Sequence, residues 1–333
     1  MDVRIETLGD LGVPRAVVPL RPLRLEQWIG GQRAWLRDAL LEHGALLFRG
    51  FDVRDPQRLA AFLSAASLPL MDYPRGTSPR TEVGPRIYTS TETRPDVAIP
   101  LHSEMSYTNL YPEGVAFCCV EVSGEGGATP LADLRGVLAR IPREFLDEVG
   151  RRGLRYRQIV PLVATATLER TWPAMFGSSE RAEVERLAAA QGIRCDWLAD
   201  GSLSITGQCP ALRPHPRSGE RVWFNQAHVF HLKLFRYLEN EGVKDAREQA
   251  REYAQRHAAA PLEPYACWFG DGGEISEADM AAVRKALDAE TRRFDWQPGD
   301  LLLLDNFRVA HGREAFRGSR RVLAALVSRL WEN

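Results

Sequence analysis

The sequence predicts an α+β fold, a mainly antiparallel sheet core with helical insertions, and three observations lead there. Short apolar runs that stop at turn residues cluster in both terminal regions, as in Ala45–Arg49, Gly114–Val122, Leu301–Leu304 and Arg321–Leu330. Helix-forming segments concentrate before and between these runs. The 333 residues, 44% hydrophobic and 26% charged, can bury a sizeable core, yet exceed the roughly 250–300 residues at which single cores stop growing. Such a length calls for two domains or one large domain with insertions. With no internal repeat, low-complexity tract or linker, one domain spanning 1–333 is expected, with an insertion or lid at about 160–265.

The elements follow in order. Arg33–His43 carries Trp35, Leu36, Ala39 and Leu40 on one stripe and reads as an amphipathic helix stopped at Gly44. Ala45–Arg49 is a short buried strand and Gln57–Ser67 a second helix. Tyr73–Thr93, rich in Pro, Gly, Thr and Arg, reads as a long loop with a short strand near Ile87-Tyr88. Ile99–Tyr107, Gly114–Val122 and Ala128–Ala132 read as strands, and Asp133 as the cap of a helix reaching Arg140. Helices are expected at Pro142–Val149, Glu180–Gln191, Asp245–His257 and Glu277–Thr291, the last capped by Ser276 with Asp279 as a capping-box partner. Short strands are expected at Ile193–Trp197, Ser202–Thr206 and Val222–Asn225. Phe294–Trp296 and Leu301–Leu304 flank a Pro-Gly turn and read as a hairpin; Phe307–His311 and Arg321–Leu330 are the last strands.

Composition narrows the function. Lys+Arg 43 against Asp+Glu 44 argues against affinity built on phosphate neutralisation, hence against nucleic acid. Cys118, Cys119, Cys195, Cys209 and Cys267 are odd in number and lack C-x-x-C spacing, which suits a reduced, cytoplasmic protein. The start, MDVRIETLGD, lacks the apolar stretch of a signal peptide, and no run approaches the ~20 apolar residues of a membrane span.

Chemistry concentrates in two places. In a strand, His102 and Glu104 would share one face and present an imidazole beside a carboxylate, two thirds of the 2-His-1-carboxylate set that leaves positions open on non-haem Fe(II). A lone H-x-E is a weak signal and fits a satisfied half-buried pair as well. About two hundred residues downstream, His311 lies on another expected strand. Ten residues later, across the Gly318-Ser319 turn, an antiparallel return could bring Arg321 beside it to bind a distal carboxylate in a two-point pair.

With these residues in view, the chain resembles the taurine dioxygenase-like Fe(II)/2-oxoglutarate-dependent dioxygenase superfamily, in its syringomycin hydroxylase-like and clavaminate synthase-like branch. The resemblance rests on Leu101-His-Ser-Glu-Met-Ser-Tyr107, Gly126-Gly-Ala-Thr129, Val222-Trp-Phe-Asn-Gln226, Phe269-Gly-Asp-Gly272, Trp296-Gln-Pro-Gly-Asp300, Asp305-Asn306 through His311-Gly-Arg313, and Gly318-Ser-Arg-Arg321. Each block is modest alone, but their order over roughly residues 40–330 is specific. The resemblance implies a double-stranded β-helix, or jelly roll. It implies Fe(II) held by His102, Glu104 and His311, and 2-oxoglutarate anchored by Arg321 and Thr129. It also implies O2 as oxidant, with succinate and carbon dioxide as products. Arg313 and Arg320 read as surface or structural arginines.

Two departures refine the expectation. Glu104 stands where a halogenating relative would have Ala or Gly, which argues against halogenation. Ala325 stands where the taurine enzyme places a sulfonate-binding arginine, four residues after the cosubstrate arginine, which argues against taurine. The resulting expectation is hydroxylation of an unactivated C–H in a small amino-acid-like substrate, free or tethered to a peptidyl carrier protein, in specialised metabolism. Desaturation or cyclisation would use the same site. A non-catalytic metal-containing barrel for ligand binding or sensing is the alternative of another class. Ser106, Tyr107, Asn225 and Arg308 are candidates for substrate contact, and Gln226 for the pocket wall. His228 and His231 read as structural or surface residues, and His43, His215 and His257 as solvent-facing.

Overall fold

The computed structural model describes residues 2–8, 11–73, 76–257 and 263–331. Parts of the charged N-terminal stretch (1, 9 and 10), of the expected 73–93 loop (74 and 75), of the expected insertion (258–262) and the last two positions of the chain (332 and 333) lie outside the described residues.

Along the chain, β1 (Val3–Leu8) and β2 (Leu11–Pro19) form an antiparallel pair. α1 (Leu25–Ile29) and α2 (Arg33–His43) lead into β3 (Ala45–Phe48), and α3 (Pro56–Ala65) follows. Asp55 caps α3, its carboxylate accepting from Arg58 N, with Pro56 in the first turn. β4 (Leu70–Met71), β5 (Glu82–Gly84), β6 (Ile87–Thr89), β7 (Ile99–His102), β8 (Gly114–Glu121), β9 (Glu125–Gly126) and β10 (Leu131–Asp133) come next. Asp133 caps α4 (Leu134–Arg140), as expected, and α5 (Arg143–Arg152) follows. The middle of the chain supplies β11 (Leu154–Val160), α6 (Trp172–Phe176), α7 (Arg181–Ala189), β12 (Arg194–Trp197), β13 (Leu203–Cys209), β14 (Arg213–Pro214), β15 (Arg221–Val222), α8 (Ala227–Phe230), α9 (Leu234–Asn240), α10 (Ala246–Arg256) and β16 (Tyr265–Phe269). It closes with α11 (Glu277–Glu290), capped by Ser276, then β17 (Thr291–Arg292), β18 (Leu301–Asp305), β19 (Val309–Arg313), β20 (Phe316–Arg317) and β21 (Arg321–Val327).

These strands make an α+β architecture. The larger sheet runs β1-β2-β3-β18-β8-β21-β6-β5, with β4 also on β21. Both of its faces are covered, which is why β3, β18 and β8 read as unbroken apolar runs rather than alternating ones. Leu46, Phe48, Cys118, Leu303 and Leu323 pack against α1–α3. Their neighbours Leu47, Phe117, Cys119, Leu302 and Ala324 face the other way, into a core shared with Leu131 and Val309. Cys118 and Cys119 therefore lie on opposite faces, as strand geometry requires.

The smaller sheet runs β17-β10-β19-β7 and faces the larger one across that core. Its outer face, at Ala132 and Ala310, is covered by α4 and α11. A third sheet, β12-β13-β11-β16, belongs to the middle of the chain and carries its own cluster around Trp172, Met175 and Val184.

Three expected elements are corrected. The Ile99–Tyr107 strand ends at His102, because the next residues turn: Ser103 O accepts from Ser106 N, and Met105 sits at φ 56. The Phe294–Trp296 and Leu301–Leu304 hairpin does not form. Phe294–Trp296 is irregular, and β18 pairs with β3 and β8 instead. Trp296 uses its ring to pack on Phe294 and its indole N–H to reach Thr129 Oγ1 at 3.0 Å. The Val222–Asn225 strand shortens to the end of β15 at Val222.

Candidate metal centre

His102 and His311 are cross-strand partners in β7 and β19, with ring centroids 4.5 Å apart. Gly312 permits this pairing: a Cβ there would stand 2.6 Å from Ile99 O, so any side chain would push β7 away. Glu104 joins them from the turn after β7, not from a shared strand face. Its carboxylate oxygen lies 3.6 Å from His311 Nε2. One ligand atom from each of the three lies within 4.8 Å of the others.

The turn is held by Asn306, at the end of β18. Its Oδ1 accepts from Glu104 N at 2.7 Å, and its Nδ2 donates to Glu104 O at 3.0 Å and to Pro112 O at 2.8 Å. His102 is oriented from behind: Nδ1 lies 2.8 Å from Pro100 O, so Nδ1–H donates there and Nε2 keeps its lone pair for a metal. The Phe117 ring packs edge-on against His311 at 5.1 Å.

Electrostatics favour the ligating protonation states. Burial and the neighbouring His311 push the His102 imidazole down to about 4, so it is neutral at pH 7. Burial pushes the Glu104 carboxyl up, but Arg80, His311 and His102 outweigh it and hold the group well below the usual carboxylate range. Neutral imidazoles and an ionised carboxylate, clustered without a fourth His, Cys, Asp or Glu among the described residues, fit a divalent metal with open positions.

The triad lines a cavity of about 110 Å³ between the two sheets. Thr129 lies on its wall, as does Tyr107. Arg321 does not. Its side chain is exposed at the start of β21, and β21 pairs with β8, β6 and β4 rather than returning beside β19. It is Arg320, just before β21, that lines the cavity, with Nε donating to Gly127 O at 2.9 Å. Gly127, at φ +74, makes room: a Cβ there would lie 3.0 Å from Arg320 Cδ and 2.5 Å from Ser123 Oγ. Four residues after Arg320 comes Ala324, which is small and packs into the core between the two sheets.

Three substrate candidates are committed elsewhere. Ser106 Oγ donates to Ser103 O within the turn. Asn225 Nδ2 donates to Ala211 O, and its Oδ1 accepts from Ala227 N at the start of α8. Arg308 donates to Leu41 O and pairs with Asp133 at 3.2 Å. Gln226 does line the cavity, its Nε2 donating to Ser103 O. Arg313, expected at the surface or in a structural role, is buried, and Thr93 O, Arg94 O and Val97 O accept from its guanidinium.

The remaining histidines divide. His228 is buried, 2.6 Å from Leu101 O, and His231 lies 3.1 Å from Ile275 O. His215 is not solvent-facing; it is buried 2.6 Å from the Asp305 carboxylate. His257 is also buried, 3.7 Å from Asp200, while His43 is half-buried. Each sits near the chain's polar turns in sequence, and long-range packing closes over it.

The residue that sequence reasoning missed is Arg80. It lies in the expected loop, yet its side chain is only 6% exposed, and Nη2 pairs with Glu104 at 3.0 Å. Its guanidinium stacks 4.1 Å from the Tyr73 ring. Nothing local in a Pro-, Thr- and Arg-rich stretch marks one arginine among several as buried.

Fold and site together define a non-haem metal oxygenase arrangement, with two histidines and one carboxylate on the wall of a cavity that arginines also line. Residues 16–327 match the profile described as "Taurine catabolism dioxygenase TauD, TfdA family", and the chain belongs to that family. It is 31% identical to the dapdiamide synthesis protein DdaC of Enterobacter agglomerans over 87% of this chain and 84% of the relative. It is 30% identical to a clavaminate synthase-like protein of Arabidopsis thaliana over 94% and 91%. Among solved structures, PvcB of Pseudomonas aeruginosa, described as "an Fe, alpha-ketoglutarate dependent oxygenase from an isonitrile synthetic pathway", aligns with TM-score 0.54 and 20% identity over 98% of this chain and 91% of that one. A taurine dioxygenase from Burkholderia xenovorans aligns with TM-score 0.55 and 15% identity over 99% and 90%. The protein is accordingly an Fe(II)- and 2-oxoglutarate-dependent dioxygenase. No helix among the described residues is long and apolar enough to cross a membrane.

Proposed function

We propose that this enzyme hydroxylates an unactivated C–H bond of a small amino-acid-like substrate, free or tethered to a carrier protein, in specialised metabolism. The observation that carries the reading is the placement of the His102, Glu104 and His311 cluster and Arg320 on the wall of one cavity. In this reading the three residues hold Fe(II), and Arg320 with Thr129 binds the distal carboxylate of 2-oxoglutarate. When bound, the iron supplies the oxidising chemistry with O2, as 2-oxoglutarate is converted to succinate and carbon dioxide. The protein's part is positioning. Pro100 O fixes the His102 ring, Asn306 fixes the Glu104 backbone, and Trp296 fixes the Thr129 hydroxyl by donating to it.

The substrate side is read from the walls. A second chamber of about 160 Å³ adjoins the first past Ile99, Pro100, Gln226 and Val229. Tyr237, Leu238, Val243 and Tyr265 line it, so the middle of the chain supplies much of its surface and acts as the lid of a single 1–333 domain. The two facing sheets are read as the double-stranded β-helix. Tyr107, on the cavity wall, is the substrate contact retained from the sequence. Two relatives support the substrate class by name: DdaC, a dapdiamide synthesis protein, and an enduracididine beta-hydroxylase of Streptomyces hygroscopicus, 31% identical over 29% of this chain.

The test is succinate formation from 2-oxoglutarate with Fe(II), ascorbate and O2. Uncoupled succinate release without a prime substrate supports the reading. Metal binding with no 2-oxoglutarate consumption, over a panel of amino acids and carrier-bound aminoacyl groups, would favour the sensing barrel instead.

A further inference from the structure

We propose that Arg80 is the specificity-determining residue of this oxygenase, and that it binds the free carboxylate of the substrate beside the metal. The inference rests on the reading of the cavity as an iron and 2-oxoglutarate site and names the substrate chemistry it selects.

The argument begins with charge. Among the described residues lining the cavity, Arg80, Arg313 and Arg320 face one carboxylate, Glu104. A divalent metal and Arg320 together carry three positive charges, of which the dianionic cosubstrate offsets two, leaving Glu104 to offset the third. Arg320 is engaged by the cosubstrate in the proposed reading. Arg313 is held by three backbone carbonyls, and Glu169, half-buried in the adjoining chamber, offsets its charge. Arg80 is left. Its counter-charge is Glu104, and Glu104 is also a metal ligand, so one carboxylate must serve two cations. The holoenzyme thus retains a surplus positive charge at Arg80, in a place where burial makes an uncompensated cation costly.

Hydrogen bonding points the same way. Nη2 donates to Glu104, while Nε and Nη1 are buried with no acceptor among the described residues. A guanidinium carries five N–H donors suited to carboxylate oxygens. Tyr73 holds its plane from one face, so the group keeps its orientation when Glu104 turns to the metal. Arg80 and Tyr107 line the same cavity as the triad. A substrate whose carboxylate meets Arg80 would therefore place its neighbouring carbons beside the metal. A carrier-tethered aminoacyl group is a neutral thioester at that position and cannot supply the charge. The geometry favours a free amino acid or its N-acyl derivative.

The experiment uses full-length protein loaded with Zn(II), which binds without turnover, and 2-oxoglutarate. Binding of N-acetylglycine and of its neutral isostere N-acetylglycinamide is measured by ligand-observed NMR. The expected result is a preference of about tenfold or more for the acid in the wild type, abolished in Arg80→Gln. 2-Oxoglutarate affinity should stay within about twofold. Arg80→Lys, which keeps the charge and loses the fork, should keep a reduced preference, and it also serves if the Gln variant fails to fold. An undiminished preference in Arg80→Gln, no preference in the wild type, or a parallel fall in 2-oxoglutarate affinity would each overturn the proposal. Preference for the acid in protein that does not bind 2-oxoglutarate would sink the oxygenase reading and still support Arg80 as a carboxylate site.

Discussion

Asn306 clamps the backbone of Glu104 on both sides, accepting from its N–H at 2.7 Å and donating to its carbonyl at 3.0 Å. Glu104 lies in a turn with no ladder partner, so this amide replaces the missing strand. Asn306→Ala removes the side-chain partner of three backbone groups, Glu104 N–H, Glu104 O and Pro112 O. We expect a loss of roughly 2–4 kcal/mol in urea unfolding and a fall of about 10–100-fold in metal affinity, measured by competition with a chromophoric chelator. Asn306→Asp, which keeps the acceptor for Glu104 N–H but turns a buried carboxylate oxygen towards Glu104 O and Pro112 O, should not recover the stability.

His102→Ala, Glu104→Ala and His311→Ala should each abolish Fe(II)-dependent 2-oxoglutarate turnover and weaken metal binding. Wild-type activity in any one of these variants would remove that residue from the triad. The backbone fold should persist, because β7 and β19 pair through backbone groups and the core of the two sheets does not depend on these side chains.

Arg320 and Arg321 are adjacent but face different surroundings. Arg320→Ala should weaken 2-oxoglutarate binding by about 10–100-fold, the size of a lost charge-assisted two-point contact. Arg321→Ala should change it by less than about twofold, because an exposed side chain at the strand's start makes little difference to the cavity. Isothermal titration with metal-loaded protein distinguishes them, and the opposite ranking would restore Arg321 as the anchor.

Stability should depend on pH through His228. Burial lowers its pKa to about 4, against 6.5 for an exposed imidazole. Between these values the unfolded chain binds a proton that the folded chain does not. Stability contributed by neutral His228 is therefore full above about pH 6.5 and falls as pH drops towards 4, by at most about 3 kcal/mol. In metal-free protein His102 adds to the same trend. His228→Gln should flatten the slope of the urea midpoint against pH over this window; an unchanged slope would show that His228 does not carry it.

Much of the fold was legible in local pattern. α2 occupies Arg33–His43 as its apolar stripe predicted, and the Asp133 and Ser276 caps start α4 and α11 where expected. These signals act within a few residues, so tertiary context had little to override. The Ile99–Tyr107 and Phe294–Trp296 errors share one cause. Apolar runs near a site read as strands, but Ser103–Ser106 hydrogen bonding and the Trp296–Thr129 contact bend them out of the ladder.

The sequence by itself singled out His102, Glu104 and His311, through their residue types and the motifs around them, and the fold brings the three together as a group that could hold a metal. The sequence pointed to Arg321 as the cosubstrate anchor, whereas Arg320 is the one that lines the cavity and Arg321 is exposed. Alternation normally shows which residue of a strand points inward, but β21 is apolar on both faces, since α1–α3 cover one and the smaller sheet the other. The parity that faces the cavity is thus set by which sheet lies across from it. Arg80 was hidden for a related reason. Its burial comes from Tyr73, Glu104 and the two sheets closing over a loop, and desolvation is a property of what surrounds a residue in space.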